Sequence, residues 1–245
     1  MNAFLKTVGA AACAAGIALG AASAQAQETF KLGLSGPPTN PESVAAMEFA
    51  KYVEELSGGE MKIDVLTGGQ AGGEREIAEA MQIGTMHFAV LAGILQNFDP
   101  ALMIVEWDLL FKNDAHVKAA LNGEIGETIS QRLVDNVGVR KLAVFMRTPR
   151  LLTTSRPVEQ LSDLEGMKIR VPEMAARVAI WEALGAKPTP MAFPDVVPSL
   201  QLGTIDGQEN PIGLIESAKM YEAVDYLADT KHLYGFMLLL VAEDT

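Results

Sequence analysis

Arginine is scarce in this chain and unevenly placed. There are eight, and Arg147, Arg150, Arg156 and Arg170 fall within 24 residues of one another. A guanidinium can hold a carboxylate by two parallel hydrogen bonds, a geometry that a lysine ammonium does not offer. Arg170 stands in Lys168-Ile169-Arg170-Val171-Pro172, at the end of a strand pattern, where clefts of α/β sheets open. Carboxylate recognition is one reading of it; a solvated surface ion pair is the other. The other chemistry is thin. His87, His116 and His232 lie far apart, with no His or Cys at metal-ligand spacing, and packing or a local hydrogen bond is expected for His87. There is no Gly-x-Ser-x-Gly elbow, and the single cysteine, Cys13, lies near the N-terminus. The stretch Gly68-Gly69-Gln70-Ala71-Gly72-Gly73 lacks the Gly-Lys-Ser/Thr ending of a phosphate-binding loop and reads as a strand-to-helix turn. Its glycines nonetheless precede a helix N-terminus, where backbone N–H groups can face an anion. No catalytic residue, metal site or cofactor is assigned.

The elements that position these residues alternate. Thr29–Leu34 and Met61–Leu66 alternate apolar with other residues as half-buried strands do, and His87–Leu91 is a third strand. Between them, Asn40-Pro41-Glu42 opens a helix as N-cap, first-position proline and first-turn acid. Its expected inward row is Val44, Met47, Ala50, Val53 and Leu56; Glu74–Ile83 is a second helix with Ile77, Ala80 and Met81 inward. Strand and helix in turn, with short connections, predict a sheet wound with crossover helices. The middle predicts helices over Ala115–Leu121 and Glu124–Asn136, then strands at Lys141–Met146, Leu151–Thr154 and Met167–Val171. Glu173–Leu184 and Asp195–Leu202 read as helices, Asp206-Gly207 as a tight turn, and Pro211 as a helix opening. Trp107 and Trp181 are expected in the core. Phe236–Val241 is a buried strand with only four residues after it, so covering helices are expected beyond Thr245.

Nineteen Lys and Arg against 31 Asp and Glu give a formal charge of −12, which disfavours general nucleic-acid binding. At 20% charged and 49% hydrophobic the chain is neither disordered nor low-complexity. Residues 1–26 combine a positive start at Lys6, an apolar run over Val8–Ala22 and the small-x-small site Ala24-Gln25-Ala26. That is the pattern of a secretory signal peptide cleaved before Gln27, and it predicts a periplasmic product without cysteine. The whole reads as a two-lobed α/β protein whose lobes are joined by strands.

Several blocks together resemble one family. They are Leu164-Glu165-Gly166-Met167-Lys168-Ile169-Arg170-Val171-Pro172, Trp181-Glu182-Ala183-Leu184-Gly185-Ala186, Pro188–Phe193 and Leu200-Gln201-Leu202-Gly203-Thr204-Ile205-Asp206-Gly207-Gln208-Glu209-Asn210-Pro211. With Gly69-Gln70, Gly73-Glu74-Arg75-Glu76 and Met81–Gly84, they resemble the DctP-type substrate-binding proteins of TRAP (tripartite ATP-independent periplasmic) transporters. The resemblance runs from Thr29 to the last residue. It implies a periplasmic-binding-protein clamshell with a ligand cleft between its lobes, one domain over 27–147 and 236–245 and the other over 148–235. It also implies a C-terminal part beyond this chain.

By the same resemblance, Arg170 is the main carboxylate-binding arginine, Arg150 a second that assists, Asn210 a hydrogen-bond partner of the ligand carboxylate, Phe193 an aromatic packed on the ligand body, and Glu74 a contact from the first domain. The implied function is delivery of a small organic carboxylate, such as a C4-dicarboxylate, keto acid or sugar acid, to TRAP membrane subunits. No catalysis and no cofactor are implied, and a monomer is expected. A secreted enzyme acting on an organic acid and a sensory receptor without a transporter are the alternatives.

Overall fold

The computed structural model describes residues 27–245. The signal-peptide reading of Met1–Ala26 lies outside the described residues. Strands β1 (Glu28–Gly33), β2 (Met61–Leu66), β3 (Phe88–Leu91) and β4 (Val139–Met146) belong to one sheet. Strands β5 (Arg150–Thr154), β6 (Lys168–Val171), β7 (Lys187–Pro190), β8 (Gly207–Pro211) and β9 (Tyr226–Ala228) form a second, and β10 (Phe236–Ala242) returns to the first. The orders are β2-β1-β3-β10-β4 and β7-β6-β8-β5-β9. In each, the first three strands are parallel and the fourth runs antiparallel to its neighbours. Helices α1 (Pro41–Leu56) and α2 (Glu74–Gln82) make the crossovers of the first sheet. After them come α3 (Asp114–Leu121), α4 (Glu124–Arg132), α5 (Ala175–Ala183), α6 (Val196–Gln201) and α7 (Ile212–Ser217).

The chain passes between the sheets twice, after β4 and before β10. These passages run side by side, with Arg147 N–H bonded to Gly235 O at 3.2 Å and Arg150 N–H to Leu233 O at 2.9 Å. The lobes are therefore joined by two hydrogen-bonded passages, which between β4 and β5 and before β10 are irregular rather than the strands expected. β10 pairs with β3 and β4 along its two edges, and six of its seven residues are buried, so both of its faces lie in the core and the apolar run is uninterrupted. The larger core lies in the first lobe around Leu32, Ile77, Leu91, Leu102 and Leu238, and Met174 of the second lobe packs into it. The second lobe has two smaller clusters, one around Ile169 and Trp181 and one around Val196 and Met220.

Several expectations are corrected. Helix α1 turns Glu42, Ser43, Ala46 and Ala50 inward, with Val53 half-buried, while Val44, Met47 and Leu56 are exposed. Small side chains let this helix lie close to the sheet, and the pairing of Glu42 with Arg147 fixes its rotation. Asn40 stands at the N-cap but makes no capping bond. In α2 it is Ala78, not Ala80, that is fully buried beside Ile77 and Met81. The helix from Glu124 ends at Arg132 and continues as a π-turn over Leu133–Val137. Trp107 is 38% exposed, whereas Trp181 is buried as expected. Gly207 does not sit in a tight turn: it opens β8, the central strand of the second sheet. A Cβ there would lie 2.5 Å from Thr153 O, so only glycine lets β8 approach β5 this closely.

Candidate functional site

A cavity opens between the lobes, with about 670 Å³ of empty space counted out to its mouth. All five residues singled out from the sequence line it. Arg170 reaches it from the end of β6, Arg150 from the start of β5, and Asn210 from β8, where it registers against Leu151. Phe193 opens the single turn Phe193–Asp195 after β7, and Glu74 is the first residue of α2. The glycine loop before α2 brings the lobes together. Gly69 has φ +83°, and a Cβ on it would lie 2.9 Å from Pro194 of the other lobe. Both its left-handed backbone and the close approach require glycine.

The three cavity arginines differ in what they hold. Arg147, named above only for its position, has Nε 2.8 Å from Glu42 Oε1, and both side chains are nearly buried. Arg150 is committed to Glu209: Nε and Nη2 donate to the carboxylate, and Nη2 also donates to Glu209 O at 2.7 Å. Its Nη1 reaches Glu106 Oε1 at 3.4 Å. Burial opposes the charge of Arg150, but the carboxylates of Glu209 and Glu106 outweigh it and raise its pKa. Arg170 has no carboxylate partner among the described residues. Its Nε and Nη2 donate to Met191 O at 3.0 and 2.6 Å, and the guanidinium lies 6.0 Å from the Phe193 ring centre. Burial, with Arg150 nearby, brings its pKa down to about 10. A buried guanidinium bonded only to a carbonyl keeps donors for an incoming anion.

Behind Arg150 lies a buried charge network that sequence reasoning missed. Arg177, fully buried on α5, donates to both oxygens of Glu209 at 3.1 and 3.0 Å and to Asp108 Oδ1. His232 Nε2 lies 3.1 Å from Glu209 Oε2, and its ring meets Trp181 edge-on. Desolvation would raise the pKa of Glu209, but the charges of Arg150 and Arg177 hold it well below the usual carboxylate range. The only sequence signal was an arginine in a helix whose other residues, apart from Glu182, are apolar. Asn210, expected to meet a ligand carboxylate, lines the cavity while its Nδ2 donates to Gln208 Oε1 at 2.6 Å. Arg156, the fourth clustered arginine, is exposed and outside the cavity. His87 accepts the Lys31 N–H through Nδ1 at 3.0 Å, the local role expected.

Glu74 is half-buried in the cavity wall and pairs with no cation within 4.0 Å among the described residues. Burial raises its pKa, as does the charge of Glu106, against the pull of Arg147, Arg170 and Arg150. Among the described residues no group of three His, Cys, Asp or Glu is placed to hold a metal ion, and no helix is long and apolar enough to cross a membrane.

Residues 32–245 match the sequence profile of the bacterial extracellular solute-binding proteins, family 7, DctP. A solute-binding protein of Roseobacter denitrificans is 39% identical over 246 residues, covering all of this chain and 76% of that protein. The 2,3-diketo-L-gulonate-binding periplasmic protein YiaO of Escherichia coli is 30% identical, over 97% of this chain and 73% of its own length. In structure, the Roseobacter TRAP periplasmic solute-binding protein with bound L-galactonate superposes with a TM-score of 0.86, over 89% of this chain and 73% of that one. A Polaromonas relative bound to D-erythronate, 33% identical, gives 0.84 over 89% and 72%. The profile match and the likeness in sequence and fold place this chain in the family of bacterial extracellular solute-binding proteins, family 7.

Proposed function

We propose that this chain is a receptor for a small organic acid of the sugar-acid class, with Arg170 as the carboxylate clamp. The observation that carries this reading is a contrast within one cavity. Arg147 and Arg150 are already paired with glutamates, and of the three cavity arginines Arg170 alone has no carboxylate within 4.0 Å among the described residues. An anion is the partner such a group lacks, and a bidentate pair in a closed, low-dielectric cleft is strong. In an acidic protein this attraction must be local, because the overall field repels anions. The Phe193 ring offers the ligand an apolar face beside the clamp. Arg150 acts at one remove, setting the position of Glu209 and Asn210 behind the ligand.

On this reading the domains are 27–147 with 236–245, and 148–235, closing on the ligand through contacts made only in the closed state. The chain works in the periplasm after export as a monomer, hands its ligand to TRAP membrane subunits, and performs no chemistry on it. Two features favour binding over catalysis: Glu42 and Glu106 are tied to arginines, and among the described residues no His, Cys or Lys lines the cavity. Isothermal titration with galactonate, gulonate, erythronate and their amides tests the reading. Binding of one acid, absent for its amide, with the acid recovered intact, supports it. A cooperatively folded protein that binds none of these acids refutes it.

A further inference from the structure

After Arg147 and Arg150 are matched to Glu42, Glu106 and Glu209, three charged groups of the cavity have no ion-pair partner within 4.0 Å among the described residues. Two stand on the second lobe, the guanidinium of Arg170 and the half-buried carboxylate of Glu173; the third is the carboxylate of Glu74 on the first. A third observation points the same way as Glu74. Asn40 lines the same cavity, is 4% exposed, and its Oδ1 is buried with no hydrogen-bond partner among the described residues. The site therefore offers a ligand one cationic anchor and, from the first lobe, two acceptors that want hydrogen.

We infer that Glu74, seconded by Asn40, is a specificity-determining residue that selects monocarboxylates carrying hydroxyl groups and excludes the corresponding dicarboxylates. This rests on the receptor reading above. A ligand held by its carboxylate at Arg170 extends toward the first lobe. A hydroxyl arriving there donates to Glu74 and to the orphaned Asn40 oxygen, satisfying buried groups that are costly to leave unpaired. A second carboxylate brings no hydrogen to donate and places like charge beside Glu74, with Glu42 and Glu106 on the same lobe and the other two cavity arginines, Arg147 and Arg150, already paired with carboxylates. Like charges facing one another in a desolvated site are among the stronger means of rejecting a wrong ligand.

The test uses matched ligands that differ only at the far end. Calorimetry on the full chain compares galactonate with galactarate and with the monoamide of galactarate, and erythronate with tartrate and its monoamide. The monoacid is expected to bind at least about tenfold tighter than its diacid, and the monoamide, isosteric but neutral, to recover most of that difference. In Glu74→Gln the preference for monoacid over diacid is expected to shrink by about tenfold, with an unchanged melting temperature in the absence of ligand. Equal affinity of the unaltered protein for monoacid and diacid overturns the inference. So does a monoamide rejected as strongly as the diacid, since size would then be the discriminator, or a well-folded Glu74→Gln that keeps the full preference. If the variant does not fold, the monoamide comparison on the unaltered protein decides. Failure of every acid in the panel to bind would sink the receptor reading itself, a different outcome from binding without discrimination.

Discussion

Replacing Arg170 with lysine keeps the positive charge and removes the fork, so it separates Coulomb attraction from geometry. In the protein, Arg170 spends Nε and one Nη2 hydrogen on Met191 O, at 3.0 and 2.6 Å, leaving Nη1 and the second Nη2 hydrogen for a carboxylate. A lysine has one nitrogen to divide between the Met191 carbonyl and the ligand. It forfeits at least one charge-assisted hydrogen bond to the ligand, worth about 1.5–3 kcal/mol. A loss of about 2–3 kcal/mol corresponds to roughly 30- to 150-fold weaker binding. Titration calorimetry on whichever acid the unaltered protein binds measures this directly. Arg156→Lys, on an exposed side chain outside the cavity, serves as the control with no expected change. The burial that brings Arg170 to about 10 acts on lysine as well, so the variant's affinity should also fall away at a lower pH than that of the parent. Near-parental affinity in Arg170→Lys, with the control behaving as stated, would refute the clamp.

Three further outcomes concern the frame around the site. Glu209→Gln leaves Arg150 and Arg177 without the carboxylate that both hold, a loss of about 3–5 kcal/mol. It should lower the melting temperature by about 10 °C; a change under about 2 °C would show that the network is not structural. Asp99 is held down to about 2 by Arg132, helped by Asn136 and the Ala101 N–H. Because its folded pKa is depressed, its contribution is present above its ordinary value of 3.8 and is lost as pH falls toward 2. Arg132→Leu should therefore move the acid-unfolding midpoint, followed by circular dichroism, to higher pH, and an unmoved midpoint would contradict this. Gly207→Ala sets a methyl 2.5 Å from Thr153 O. Backbone cannot swing aside as a side chain can, so about 2 kcal/mol or more of stability should be lost, and a variant melting with the parent would show that β8 can shift.

Much of this was legible along the chain because local rules governed it. β1, β2 and β6 could be read from residue types alone, as could the glycines that end α1 and α2, since each strand keeps one or both faces in a core. Arg170 at a strand end, and the five residues implied by family resemblance, did converge on one cavity. The failures share a cause. Strand β8, Gly207-Gln208-Glu209-Asn210-Pro211, has every residue buried and hardly an apolar side chain. It has no hydropathy signal because its burial depends on partners elsewhere: Gln208 donates to Thr153 Oγ1 at 2.6 Å, Asn210 to Gln208, and Glu209 takes two arginines. Helix α1 misled in the opposite way, since Val44, Met47 and Leu56 face outward while the small Ala46 and Ala50 are buried.

Residue types and their order determined that this is a two-lobed α/β chain with an arginine poised at a strand end, because strand alternation, helix stops and strand-terminal placement are local properties of a polypeptide. Which arginine is free was decided only by the tertiary structure. Arg147, Arg150 and Arg170 are the same side chain within 24 residues, and their difference lies in Glu42, Glu106 and Glu209, brought to the first two and withheld from the third. Charge neutralisation depends on distance in space, and distances between residues so far apart in the chain exist only once both sheets have formed.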